Sequence, residues 1–544
     1  MAEPAISPVA HTTGPLVDKP PSVPSAALPR IEWLAIIVLC AAKLLLHIFT
    51  SVQRYGYFRD ELYYLDLGRH LAFGYVDCAP LVALYARVAL LLGGSLAALR
   101  ILPALAGTAL IALSILIARE LSGPFKPAFG LSGEPSRYAQ WLTGITVLLC
   151  PGFLVMDSFL SMNAFEPLFW MAGAWALARF LRTGNSRLWI VFGVCIGLGL
   201  ENKHSAAFFA VAVVIAVLLT RHRREFLKPW IWIGIAVAFA LFAPNLIWQI
   251  RHHFPTLEDL ENVRRTHKDI VLGPGAFIAR QILDLHPILF PVWLTGVLWT
   301  LWSRRWRVLG LTFVVFFVMM ELMHGKEYYL FPAYPMMLAA GSVCIAGWLN
   351  RFKRPALATT LRAAILTVII LAMAAFVPMS TWMLSPENYL AYARAIGFMP
   401  KNIETHQQSI LPQPMADQFG WPELVAQTAA IYNSLPPAQR AHTALLTGNY
   451  GEAGAIDLFG PRYGLPHAIS GHQNYWYWGP GATDYTNLIV FEWDLSDVKK
   501  ACQSWQAFPH YSKYGMAEEN SPIYLCRGAR FNLQKEWAHF KHWN

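Results

Sequence analysis

Residues 31–52 read IEWLAIIVLCAAKLLLHIFTSV, and shortly after them comes Tyr57-Phe58-Arg59-Asp60-Glu61-Leu62-Tyr63-Tyr64. The apolar run is about as long as a helix needs to cross a bilayer core, roughly twenty residues. No convincing small-residue cleavage site follows it, so it is expected to stay as an anchor and not to be removed as a signal peptide. The second stretch places two adjacent carboxylates at the start of a helix just beyond that span. A membrane protein with its chemistry at one membrane face is the expectation these two stretches set.

The rest of the chain agrees. Of 544 residues 56% are hydrophobic and 14% charged, with 21 Trp, which excludes an ordinary soluble globule. Further apolar runs lie near residues 96–116, 138–157, 165–181, 188–200, 205–220, 230–248, 282–302, 308–322, 330–349 and 358–377. With the first, that makes about eleven spans, some short enough that polar neighbours are drawn in at their ends. Lys and Arg total 43 against 33 Asp and Glu, a net +10. The excess sits in short clusters between apolar runs and not on one basic surface, which argues against nucleic acid as a partner.

Those clusters test the division into spans. Arg119/Lys126/Arg137, Arg179/Arg182/Arg187, Arg221/Arg223/Arg224/Lys228, Arg304/Arg305/Arg307 and Arg351/Lys353/Arg354 fall in alternate connections, on the side of the N-terminus. The expected topology therefore has a Pro-rich, disordered cytoplasmic tail (residues 1–30), a membrane domain (31–380) and an extracytoplasmic segment (381–544). The first outer connection, residues 53–94, carries amphipathic stretches at 60–73 and 80–92 that suit helices lying in the interface. The outer connection 249–281 carries Arg251, Arg264, Arg265, Lys268 and Arg280, an outward basic cluster that an anionic ligand would explain. After residue 380, periodicity predicts helices at 422–434 and 451–458 and strands at 442–447, 487–493 and 522–526, a small α/β domain. Four of the seven Cys (Cys40, Cys150, Cys195, Cys344) lie in apolar runs, and no zinc-ligand spacing is present. Cys502 and Cys526 fall in the outer domain, where an oxidising compartment permits a disulfide.

Asp60 and Glu61 either complement a helix N-terminus or place Asp60 at the membrane surface as a general base. Tyr63 and Tyr64 lie one turn on. Downstream stands Gly74-Tyr75-Val76-Asp77-Cys78-Ala79-Pro80-Leu81. This pairing of an acidic couple and Tyr with a later Gly-Tyr-x-Asp-x-x-Pro-Leu resembles the first outer loop of polyprenyl-phosphate-sugar-dependent glycosyltransferases of the GT-C fold. That group includes protein O-mannosyltransferases and the bacterial aminoarabinose transferase that modifies lipid A. Ser161-Met162-Asn163-Ala164-Phe165-Glu166-Pro167-Leu168-Phe169-Trp170, Gly197-Leu198-Gly199-Leu200-Glu201-Asn202-Lys203-His204-Ser205, His252-His253-Phe254-Pro255-Thr256-Leu257 and Lys326-Glu327-Tyr328-Tyr329-Leu330-Phe331-Pro332-Ala333-Tyr334-Pro335 carry the same resemblance. Cys78-Ala79 before Pro80 departs from the commoner pattern.

The resemblance implies an inverting transfer, in which an acceptor hydroxyl attacks a sugar carried on a lipid phosphate. Asp60 matches the family's catalytic aspartate, with Glu61 as runner-up. Cations beside the leaving phosphate would stabilise the transition state, and Lys203 and Lys326 suit this, with Arg264 and Arg265 as further candidates. Each of those lysines could instead snorkel to headgroups. Asp157 and Glu166 flank a short outer connection, where a carboxylate is a functional candidate or a wetted helix end. Asp77, His204, Tyr328 and Tyr329 complete the candidate substrate contacts. His252, His253, His267, His286 and His324 lack strong metal-ligand spacing, so no metal ligand is assigned and no cofactor is required, although a divalent metal is conceivable. The expected partners are a polyprenyl-phosphate sugar, a lipid, glycan or protein acceptor such as lipopolysaccharide or lipid A, and the bilayer of a bacterial inner membrane. A lipid-linked sugar flippase would share a cationic cavity, yet no repeat or paired broken helices are visible. A non-catalytic scaffold would leave the Asp60-Glu61 loop unexplained.

Overall fold

The computed structural model describes residues 28–123, 137–268, 270–399, 409–515 and 520–543; the expected disordered tail lies almost wholly outside the described residues. Each stretch read as a span is helical. Helices Trp33–Thr50, Leu96–Leu121, Pro229–Arg251, Glu327–Leu349 and Pro355–Ala374 are long and apolar enough to cross a membrane alone, and two bent helix pairs raise the number to 7. Others, such as Leu188–Asn202 at 15 residues and Phe290–Trp302 at 13, are shorter than a bilayer core. They are held inside the bundle by neighbours. Helices Leu188–Asn202 and Pro229–Arg251 approach so closely that a Cβ on Gly193 would stand 2.0 Å from the Gly234 carbonyl oxygen.

The helix ends explain where each element stops. Ser95 Oγ accepts the Ala98 N–H and opens Leu96–Leu121. Gly184, at φ 71°, closes Met162–Thr183 in the left-handed conformation. At one end of the bundle the basic connections interlock. Arg137 donates to Glu32 at 2.9 Å, Arg119 to the Pro29 carbonyl at 2.8 Å, Arg182 to the Ser122 carbonyl at 2.7 Å, and Lys228 to Ser186 at 3.0 Å. Three of the five basic connections are therefore neighbours in space.

Ion pairs also cross the interior. Lys43, from the first span, meets Asp157 at 2.7 Å with both side chains almost fully buried. Removing one partner of such a pair typically costs about 3–5 kcal/mol. In the loop that follows the first span, helix Leu81–Leu91 exposes Leu84, Val88 and Leu91 as an interfacial helix would. Helix Arg59–Arg69 does not lie in the interface. Its Leu62, Tyr63, Tyr64, Leu65 and Leu67 are buried, because the C-terminal domain closes over it.

That domain holds a five-stranded sheet of order β2-β1-β3-β5-β4, with β1 Thr443–Thr447, β2 Ala468–Ser470, β3 Asn487–Val490, β4 Cys502–Phe508 and β5 Ile523–Ala529. β1 pairs in parallel with β2 and β3, while β5 runs antiparallel to β3 and β4. Helices Trp421–Asn433 and Tyr450–Phe459 cover one face, packing on Leu445, Ile489 and Leu525. The Cys502–Cys526 disulfide forms, joining adjacent strands with Cα atoms 5.4 Å apart. Residues 381–399 and 409–415 precede the sheet and pack elsewhere. Their Trp382, Tyr389, Leu411 and Met415 cluster with Tyr55, Phe58 and Phe159 of the membrane part.

Candidate active site

Two neighbouring carboxylates have opposite surroundings. Glu61 is fully buried and every contact it makes is structural. It accepts from Phe58 N at 2.9 Å, Leu160 N at 2.8 Å, and the Arg100 guanidinium at 3.1 and 2.7 Å. Arg100 in turn reaches the carbonyls of Ser51 and Gly56 and the side chain of Gln418. Glu61 thus ties the loop to the fourth helix of the chain and to residues near the outer domain, and its oxygens are spent there. It stands away from the cavity as a strut, not as a base.

Asp60 faces the other way, into a cavity of about 350 Å³. Lys326, Arg280, Asp284, Glu327 and Asn163 share that cavity, and Phe58, Phe159, Phe331, Phe376, Met379 and Trp382 form apolar walls. Arg280 links Asp284 at 3.3 Å to Glu327 at 3.1 Å. Gln281 donates to the Glu327 carbonyl at 3.0 Å and accepts from Tyr334 at 3.1 Å, fixing the turn that presents Lys326. Three carboxylates, two of them bonded to Arg280, two cations and an apolar wall thus meet at one place, where Lys326 and Arg280 offer positive charge to an anionic group on a hydrocarbon tail.

The C-terminal domain packs over Asp60. Tyr450 donates to Asp60 Oδ1 at 2.9 Å. Burial and the Asp60 charge push the Tyr450 phenol well above its usual range, so it stays protonated and donates. Tyr63 donates to Asp77 at 3.0 Å, and both Tyr63 and Tyr64 are buried in the loop's core, their phenols pushed well above the usual range by burial. Burial, with Asp259 and Asp60 nearby, pushes the Asp77 carboxyl up to about 7.

The other candidates are partly dispersed. Lys203 lies one layer behind the wall, bonded to Asn163 at 2.7 Å and Glu166 at 3.0 Å, with its ammonium 4.4 Å from the Tyr329 ring centre and 5.7 Å from that of Tyr328. Tyr328 itself lines the cavity. Glu166 also accepts from Ser205 and is buried, so it orients Lys203. Asp157 is paired with Lys43 below the wall and does not line the cavity, because desolvation inside the bundle demands a cation beside it. His204 bonds Asn245 at 3.1 Å, within the helix packing. Arg264 and Arg265 are exposed on helix Pro255–Arg265, Arg265 pairing with Glu261 at 3.0 Å, and neither reaches the cavity. The cation that does reach it from this connection is Arg280. Its place one turn before Asp284 on an amphipathic helix was the available signal. Among the described residues no group of three or more His, Cys, Asp or Glu converges as a metal site.

The architecture is the GT-C fold of polytopic membrane glycosyltransferases, and the protein is a multi-pass membrane protein. Residues 77–248 match the family model described as dolichyl-phosphate-mannose-protein mannosyltransferase. The lipid A galacturonosyltransferase RgtD of Rhizobium johnstonii is 26% identical over 238 residues, a match that takes in 43% of this chain and 47% of that protein. The chain thus spans about half the length of this curated relative. Among solved structures, ArnT from Cupriavidus metallidurans bound to undecaprenyl phosphate superposes with a TM-score of 0.54 at 14% identity, over 91% of this chain and 97% of that one. The arabinofuranosyltransferase AftD from Mycobacteria gives 0.52 at 14% identity, over 93% of this chain and 41% of that one.

Proposed function

We propose that the protein is an inverting glycosyltransferase that moves a hexose or pentose from a polyprenyl-phosphate carrier to a hydroxyl of an envelope acceptor, with lipid A or another cell-surface glycan first among the acceptors. The observation that carries this reading is the shared cavity of Asp60 and Lys326, walled by aromatic side chains. Asp60 accepts the acceptor's proton as its oxygen attacks the anomeric carbon, and the bond from that carbon to the phosphate oxygen breaks on the opposite face. Lys326 and Arg280 stabilise the charge growing on the departing phosphate, with Lys203 adding a more distant field. No cofactor is assigned a part. The lipid tail lies along the apolar wall. The likeness to a lipid A galacturonosyltransferase and to a structure holding undecaprenyl phosphate supports both the donor and acceptor classes. With the basic connections facing the cytoplasm, the enzyme sits in a bacterial inner membrane and its cavity and outer domain face the extracytoplasmic side.

The test is sugar transfer in membranes holding equal amounts of wild type or Asp60→Asn, supplied with polyprenyl-phosphate hexose, hexuronic acid or pentose. Products are read by mass spectrometry. Transfer by wild type and a loss of about a hundredfold or more in the variant are expected. Transfer by neither, with any donor, overturns the reading in favour of a lipid-linked sugar flippase.

A further inference from the structure

The hydroxyl that holds Asp60 comes from the outer domain, and the chain invests unusual structure in placing it. Helix Tyr450–Phe459 begins at Asn449, whose side chain accepts from Gly451 N at 2.8 Å and Glu452 N at 3.0 Å. Glu452 reaches back to Gly448 N at 2.9 Å, and Asn449 donates to Glu492 at 2.8 Å. The Tyr450 ring is stacked between Tyr63 at 4.8 Å and His472 at 4.9 Å, and Tyr450 N donates to His472 Nδ1 at 3.2 Å. Gly454 makes the close approach possible. A Cβ there would stand 2.8 Å from the Leu62 carbonyl carbon, inside the helix that carries Asp60.

The end of the chain clamps this assembly. His542 lies flat on His472 at 4.9 Å and its ring meets the Gly448 carbonyl at 2.8 Å. Trp543 donates to the Gln473 carbonyl at 3.2 Å and its own carbonyl accepts from Asn262 of the membrane domain at 2.7 Å. The strap therefore bridges the two parts of the protein beside the helix start that presents Tyr450.

We infer that Tyr450 is a positioning residue for Asp60, so that the outer domain completes the catalytic centre in addition to any part it plays with the acceptor. The inference rests on the reading of Asp60 as the base. A phenol donating to one carboxylate oxygen fixes the carboxylate plane and favours its charged form. Tyr450 keeps its own proton throughout; the acceptor's proton goes to Asp60, and the electron pair of the broken carbon–oxygen bond leaves with the phosphate.

Tyr450→Phe keeps the stacked ring and deletes only the hydroxyl. In full-length protein in membranes, transfer from the donors that wild type uses should fall about ten- to hundredfold, the range of a hydrogen bond to a charged group. The acidic limb of the transfer-against-pH curve should move up by about one unit, since the carboxylate loses a donor that favoured its charge. The position of that limb does not depend on how much protein is folded. Wild-type transfer with an unmoved limb in Tyr450→Phe overturns the inference and leaves the Asp60 assignment standing, as does a slower rate with an unmoved limb. Absence of transfer by wild type overturns the functional reading itself.

Discussion

Asp60 and Glu61 are consecutive residues on one helix, yet one faces a cavity and the other is sealed. Glu61 accepts four hydrogen bonds and sits against a buried guanidinium, whereas Asp60 shares 350 Å³ of open space with Lys326 and Arg280. Successive helical positions point about 100° apart, following from 3.6 residues per turn. The same step that buries Glu61 against helix Leu96–Leu121 turns Asp60 outward. A carboxylate enclosed by permanent donors holds structure; one left beside mobile space can exchange a proton with a ligand.

The comparison breaks first at Asp60. Asp60→Asn is expected to cost about two to four orders of magnitude in transfer with the melting temperature unchanged. Next, Lys326→Met should lower transfer by about a hundredfold, as loss of a preorganised charge partner does, and should weaken retention of undecaprenyl phosphate by the detergent-purified protein. Glu61→Gln inverts the pattern. It leaves Arg100 buried without its counter-charge, at a cost of about 3–5 kcal/mol, so a lower yield of folded protein and a lower melting temperature are expected. Activity per folded molecule should change little. At the small end, Arg264→Ser with Arg265→Ser should leave transfer from a soluble-detergent donor within about twofold, because exposed charges outside the cavity are screened.

A pH measurement sharpens the loop's side of the comparison. The Asp77 carboxyl is pushed up to about 7 by burial and neighbouring acids, while its unfolded value is near the ordinary aspartate range, about 3.9. Between those values the folded state holds the extra proton, so stability falls as pH rises through the window and recovers as pH falls. Melting temperatures measured from about pH 8 down to about pH 6 should rise for wild type. Asp77→Asn should flatten part of that rise.

Much of this was readable from the residues. Apolar runs gave the helices because their lengths and flanking Lys and Arg are set by the bilayer, and Asp60 stood out as a carboxylate at a span's outer end. The three strands with strong apolar pattern, at Thr443–Thr447, Asn487–Val490 and Ile523–Ala529, were visible; β4, with its exposed Gln503, Ser504 and Gln506, carries no such signal. What the sequence withheld were partners separated by long stretches of chain. Glu61 finds Arg100 39 positions on, Asp157 finds Lys43, and Tyr450 reaches Asp60 across 390 positions. Arg264, Arg265 and Arg280 looked alike as members of one basic cluster; the Asp284 one turn after Arg280 was the one local cue that set it apart, and packing shows that it faces the cavity. Charge in a connection tells which side of the membrane it occupies, not which way a side chain turns.

The most direct test measures undecaprenyl phosphate binding and sugar transfer on the same preparations of wild type and Asp60→Asn. The variant should bind the lipid phosphate at least as tightly as wild type, having lost a negative charge beside it, while transfer falls by about a hundredfold or more. Transfer by Asp60→Asn at the wild-type rate would contradict the assignment of Asp60 as the base.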